Sequence, residues 1–221
     1  MRLLLVRHGE TRANSEQRIQ GRLDEPLTER GRSQVRTLGQ AMRRLGLSWD
    51  SILSSPLARA WQTAELLEQG GSQRAVTECP ELIEIGAGRL EGLTAEQIGR
   101  EAPGFLGRPV EQLGDFSEYG GESADEVKDR VLRLYDGLVA KYLELEQTLL
   151  LVSHGGLLFQ LIRRMVCSPV PDVCLVRFGN CSLTCVDVQR RRGRVLGEIR
   201  YHVPIELFGE PSEEGQVGIF R

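Results

Sequence analysis

The chain has 221 residues, 40% of them hydrophobic and 27% charged, enough for a sizeable buried core and unlike collagen or a wholly disordered chain. Twenty-eight basic residues against 31 acidic ones leave a formal charge of −3, too little positive charge to coat nucleic acid or an anionic membrane. Five cysteines with no Cys-x-x-Cys pair and only three histidines predict neither a disulfide framework nor a zinc site.

The run Leu3–Val6 is almost continuously apolar, as in a strand buried on both faces of a parallel sheet. Arg7 interrupts it too early for a signal-peptide core. Thr28 is placed to cap a helix carrying Val35, Leu38, Met42 and Leu45 on one stripe. Ser51–Leu53 reads as a strand, and Ser55 before Pro56 as the cap and first residue of a helix running to about Gln69. Thr94 with Gln97, and Ser123 with Glu126, have capping-box spacing. The second box opens a long helix with Val127, Val131, Leu134, Leu138 and Tyr142 on its core face. Leu149–Val152 repeats the buried-strand pattern, and a helix follows at Leu157. Runs near Val173–Phe178, Leu183–Val188 and Val195–Tyr201 complete the strands, with Cys181 and Cys185 on one face of an alternating stretch.

Strands alternating with helices predict one α/β domain over residues 1–221, a three-layer α/β/α sandwich around a mostly parallel central sheet. Two segments depart from the alternation. Residues 91–125 are rich in glycine and proline and hold eight acidic residues against Arg100 and Arg108, a formal charge of −6; they read as an inserted cap. Residues 202–221 read as an acidic C-terminal tail. Arg190, Arg191 and Arg192 fall at the tip of a predicted hairpin, where a solvated turn is a simpler reading than an RNA contact. No apolar stretch approaches the roughly 20 residues needed to span a bilayer. A cytoplasmic protein with reduced thiols is expected, with neither nucleic acid nor membrane as a partner.

In open α/β sheets, ligands bind outside the carboxyl ends of the strands. Here those ends carry Arg7-His8-Gly9-Glu10-Thr11 and Ser153-His154-Gly155-Gly156. Gly9 is expected to let a ligand approach the backbone closely, and Gly155-Gly156 to do so where a helix N-terminus offers free N–H groups to an anion.

Arg7-His8-Gly9-Glu10-Thr11 resembles the signature of the histidine phosphatase, or phosphoglycerate-mutase-like, superfamily. The resemblance continues through Asn14, Gln20-Gly21, Asp24, Pro26-Leu27-Thr28, the Ser54–Ala64 block, Leu82-Ile83-Glu84, Glu91–Thr94, Gly121-Glu122-Ser123 and Val152–Gly156. It implies a metal-independent phosphomonoesterase that needs no cofactor and acts on a small phosphorylated metabolite. By it, His8 is the nucleophile that forms a phosphohistidine, its other ring nitrogen donating to a backbone carbonyl. Arg7, Arg59 and His154 hold the phosphoryl oxygens, with His154 protonated in the loaded site; Asn14, Gln20, Gly21 and Gly155 complete the pocket. Glu84 is the general acid and later the base that activates water, with Glu81 and Glu91 as neighbouring competitors for the role.

The same core serves phosphoglycerate mutases, which are the alternative, and a non-catalytic phospholigand-binding module is a third reading. The acidic cap disfavours a polyanionic substrate and favours the phosphatase branch. Leu90 and Ala13 replace aromatic residues common in the family and are expected to reshape the pocket mouth. Phe105, Leu106, Phe116 and Tyr119 are the cap residues expected to select the leaving group, which could be a sugar, a phosphoglycerate derivative, a ribazole or a phosphoamino acid. The family resemblance also allows a homodimer.

Overall fold

In the computed structural model, which describes residues 1–69, 74–108, 114–166 and 177–208, the two apolar runs lie side by side at the centre of one sheet. β1 (Arg2–Arg7) pairs in parallel with β4 (Thr148–Ser153), Leu4 opposite Leu150 and Arg7 opposite Ser153. β2 (Ser51–Ser54) continues the parallel set beyond β4, and the two-residue β3 (Thr77–Glu78) forms that edge. On the other side of β1 lies an antiparallel hairpin, β5 (Leu183–Arg191) and β6 (Arg194–Val203), giving the order β3-β2-β4-β1-β5-β6. The hairpin turns at Arg192 and Gly193, both at positive φ, the two-residue geometry that suits strand twist.

Strand alternation separates two apolar layers. Leu3, Leu5, Leu149 and Leu151 pack with α5 (Ala124–Tyr142) and α6 (Gly155–Val166) on one face. Leu4, Val6, Leu150 and Val152 pack on the other with α2 (Glu29–Arg44), which follows the single-turn α1 (Arg12–Ser15), and with α3 (Ala58–Glu68). Because neighbouring residues of a strand point to opposite faces, a continuous apolar run is what a sheet covered on both sides requires. The result is the three-layer α/β sandwich expected from the sequence.

Three predicted helix starts hold to the residue. Thr28 accepts the Gly31 N–H at 3.0 Å to open α2, and both capping boxes form, at α4 (Ala95–Glu101) and α5. The start predicted at Ser55-Pro56 does not. α3 begins at Ala58 after Leu57, which makes no side-chain cap, while the Ser55 hydroxyl faces His154 at 2.7 Å. Leu45 leaves the predicted core stripe: it follows the last turn of α2 and is 63% exposed. Cys181 precedes β5 at positive φ instead of sharing its alternation, although it and Cys185 enter the same core. Of the strand expected near Val173–Phe178, only Arg177 and Phe178 lie among the described residues, and neither is in a strand.

The described parts of the predicted cap, residues 91–108 and 114–125, fold onto the α5–α6 face. Ile98, Ala102, Phe105, Phe116 and Tyr119 join the core there. The tail is described to residue 208, its first residues forming the end of β6 and a short 3-10 turn at Ile205–Leu207. No helix among the described residues is long and apolar enough to cross a membrane.

Candidate active site

The carboxyl ends of β1 and β4 meet through a backbone bond, His8 N–H to the Ser153 carbonyl at 3.0 Å. This brings His8 and His154 to 5.1 Å between ring centroids. Around them opens a cavity of about 650 Å³, lined at this end by Arg7, His8, Asn14, Gln20, Gly21, Arg59, Glu84 and Gly155. His154 is the one predicted site residue that does not line it; it lies behind Arg59, with no exposed surface.

His8 is held in one tautomer. Its Nδ1 stands 2.7 Å from the Gly9 carbonyl, which can only accept, so the proton is on Nδ1 and the lone pair on Nε2. Asn180 Nδ2 donates to the His8 carbonyl at 3.0 Å and fixes the backbone. Burial, reinforced by the Arg7 and Arg59 charges, holds the His8 pKa well below the usual imidazole range. The ring is therefore neutral at physiological pH.

His154 is held in the opposite sense. Its Nδ1 accepts from Arg59 Nε at 3.2 Å, and its Nε2 donates to Ser55 Oγ at 2.7 Å. Burial and then the Arg59 charge push its pKa well down as well. It is a neutral support for Arg59.

Arg59 is buried and Arg7 partly so, and neither forms an ion pair among the described residues. Arg59 donates to the Leu23 and Gly21 carbonyls at 2.6 and 2.7 Å, and burial lowers its pKa to about 10. Gly21 can face it because its φ is +52°, and a Cβ there would lie 2.3 Å from Glu91. Arg7 gives Nη1 to the Phe178 carbonyl at 2.5 Å and is likewise pulled down by burial. Its Nε is buried with no partner. Gln20 shares that condition: Oε1 accepts from Thr11, and Nε2 is buried and unpartnered. Buried donors are rarely left unpaired, and both of these belong to side chains that line the cavity. Asn14 Oδ1 already accepts from Thr11 N–H and Asn180, which leaves its NH₂ to offer a ligand.

Glu84 sits opposite, at the start of α6. Its Oε1 accepts from Ile85 and Leu157 N–H at 2.9 and 3.0 Å, and Oε2 from Gly156 N–H at 3.1 Å. Gly156 is needed here: a Cβ would lie 2.8 Å from Glu84 Oε1. The competitors are occupied elsewhere. Glu91 accepts from Arg22 and Ala87 N–H, and Glu81 from the Cys79 thiol. Neither lines the cavity.

Several expectations change. Gly9 makes room for a helix, not a ligand: a Cβ would be 2.7 Å from the Gly31 carbonyl at the start of α2. Leu90 and Ala13 are buried below the surface and do not line the cavity. Of the four suspected cap residues only Phe116 does; Phe105 and Tyr119 pack in the core and Leu106 is exposed. Among the described residues, the acidic cap adds no carboxylate to the cavity lining. Glu91 and Glu122 turn to backbone amides and arginines, and the charged lining is Arg7, Arg18, Arg59 and Arg177 against Glu84.

The sequence reading passed over Arg130. Its Nη1 donates to the carbonyls of Glu81 and Ile83 at 3.0 and 2.6 Å, and its other two nitrogens grip both oxygens of Glu122 at 3.0 and 2.7 Å. Glu122 in turn accepts Gly86 N–H at 3.0 Å, so the backbone on both sides of Glu84 is clamped. A signal existed: Arg130 stands in the apolar stripe of α5 between Val127 and Val131, where a charge needs a buried partner. Phe159 and Gln160, one turn beyond Gly155-Gly156, were also missed as cavity residues. Among the described residues, no group of three or more His, Cys, Asp or Glu is placed to hold a metal ion.

A buried neutral histidine, two arginines and a carboxylate thus meet at one end of the sheet. The model of the histidine phosphatase superfamily (branch 1) matches residues 3–198, and the chain belongs to that family. A Salmonella paratyphi A protein named "Probable phosphoglycerate mutase" is 37% identical over 214 residues, covering 96% of this chain and 94% of the relative. A mycobacterial glucosyl-3-phosphoglycerate phosphatase, solved in complex with VO3, superposes with a TM-score of 0.76 at 31% identity, covering 90% of this chain and 97% of that one. The alpha-ribazole phosphatase of Shigella flexneri gives a TM-score of 0.75 at 28% identity, covering 93% and 97%.

Proposed function

We propose that this protein is a phosphomonoester hydrolase acting through a phosphohistidine on His8. The observation that carries the proposal is the pairing of an Nε2 lone pair, fixed by the Nδ1 bond to the Gly9 carbonyl, with the unpartnered donors of Arg7 and Gln20. His8 Nε2 attacks phosphorus; the P–O bond to the alcohol breaks, and its electron pair takes a proton from the Glu84 carboxyl. Water then gives its proton to Glu84 and attacks phosphorus. The P–N bond breaks, its electrons return to Nε2, and inorganic phosphate leaves. Arg7 and Arg59 stabilise the charge that develops on the phosphoryl oxygens. An arriving dianion favours protonation of His154 at Nδ1, which would free Arg59 Nε and turn it toward the phosphoryl group.

Mutase chemistry is the second reading, favoured by the name of the 37% identical relative. A mutase must grip a second anionic group; among the described residues the wall beyond Glu84 is mostly apolar, Arg18 is engaged by Glu16, the Gly92 carbonyl and Gln97, and Arg177 is the remaining cation. Hydrolysis of p-nitrophenyl phosphate with excess EDTA, in wild type and His8→Ala, tests the proposal. Activity that survives EDTA and disappears in His8→Ala is expected, together with an acid-labile phosphoryl adduct trapped on wild type alone. Activity retained by His8→Ala would overturn the mechanism. Transfer between phosphoglycerate positions, primed by 2,3-bisphosphoglycerate and faster than phosphate release, would reassign the protein to the mutases.

A further inference from the structure

The cavity is much larger than a phosphoryl group. Beyond Glu84 its walls are Ile19, Ile85, Phe116, Phe159 and Phe178, drawn from separate parts of the chain. Phe178 is tied to the anion end directly, since its carbonyl accepts from Arg7 Nη1. Phe159 projects from the first turns of α6, whose opening residues hold Glu84, and Arg163 lies over its ring at 5.7 Å. Ile85 follows Glu84 in the chain, and Phe116 is fixed by Phe105 at 5.3 Å between rings. The surface that meets the ester oxygen is therefore continuous with an apolar one.

A site built for a sugar or glycerate would face each hydroxyl with a polar partner, because an unpaired buried hydroxyl is costly. Past the anion end, among the described residues, the neutral polar side chain on the lining is Gln160, with Arg18 and Arg177 as the cations. Arg18 is already engaged by Glu16, the Gly92 carbonyl and Gln97. Three phenylalanines and two isoleucines offer instead a place for a flat or extended hydrocarbon.

Resting on the hydrolase reading above, we infer that the substrate is a phosphomonoester of a predominantly apolar alcohol, its hydrocarbon part lying against Phe116, Phe159 and Phe178. The comparison that tests this is kcat/KM for 2-phenylethyl phosphate against glycerol 3-phosphate. Both release a primary alcohol, so intrinsic reactivity is nearly matched and the ratio reports the pocket. Burial of one aromatic group predicts a preference of roughly 30-fold or more for the phenylethyl ester. Phe159→Ala should reduce that ratio about tenfold and Phe159→Leu restore most of it. A ratio near one in wild type, or unchanged by Phe159→Ala, overturns the inference.

Calorimetric binding of 3-phenylpropylphosphonate against 3-hydroxypropylphosphonate reads the same pocket without turnover. Tighter binding of the phenyl compound supports the inference even if no ester is hydrolysed, an outcome that would count only against the hydrolase reading. Equal binding overturns the inference whatever the activity.

Discussion

Replacing Arg130 with methionine tests how the fold holds the Glu84 carboxylate. The change keeps an unbranched side chain on the α5 stripe while removing every donor. Arg130 and Glu122 are 8% and 14% exposed at the side chain, so the pair is largely shielded from water. Its loss strips donors from the Glu81 and Ile83 carbonyls and from both Glu122 oxygens. Glu122 keeps the Gly86 N–H and a contact with Arg22 at 3.0 Å, which places the cost at the low end of that for breaking a buried pair, about 3 kcal/mol. For a chain of this length that is a fall in Tm of roughly 6–12 °C, measurable by calorimetry. The kinetic consequence should depend on the leaving group. p-Nitrophenolate departs without a proton, but an alkoxide needs Glu84, so kcat for 2-phenylethyl phosphate should fall about tenfold more than kcat for p-nitrophenyl phosphate. A Tm within about 2 °C of wild type would refute the energetic reasoning. Equal slowing of both esters would refute the assignment of Arg130 as a positioning residue for Glu84.

Two further outcomes follow from the same geometry. His8 and His154 both have folded-state pKa values held below the unfolded value by burial. Below the unfolded pKa of about 6.5 the unfolded chain binds more protons than the folded one, so stability is fully present above it and declines as pH falls, by up to about 1.4 kcal/mol per pH unit for each histidine. Tm should therefore be flat above neutrality and drop in acid, less steeply in His154→Gln; a wild-type acid limb no steeper than the variant's would contradict this. Gly156→Ala should separate activity from stability. Its Cβ would crowd Glu84 Oε1, lowering alkyl phosphate turnover by about tenfold, while the better helix propensity of alanine offsets part of the weakened Glu84 contacts and keeps Tm within about 3 °C of wild type. Undiminished turnover would show that Glu84 tolerates displacement.

The sequence alone placed His8, Arg7, His154 and Gly155, because continuous apolar runs mark strands covered on both faces and ligands gather at the ends of such strands. Arg59 and Glu84 were legible only through family resemblance; nothing in their local pattern sets them apart from surface residues. The capping boxes at Thr94 and Ser123 were readable because each is closed within four residues. What the tertiary structure decided are contacts between residues far apart in the chain. Gly9 is small for the sake of Gly31, Gly156 for Glu84, and Ser55 turns from capping a helix to meeting His154 across 99 positions. The −6 charge of the cap is a sum over residues, whereas the field in the cavity depends on which carboxylates face it, and Glu91 and Glu122 face the backbone instead. The apolar wall is assembled from Phe116, Phe159 and Phe178, which share no period. Periodicity records which side of an element is buried; it carries no record of what that side is buried against.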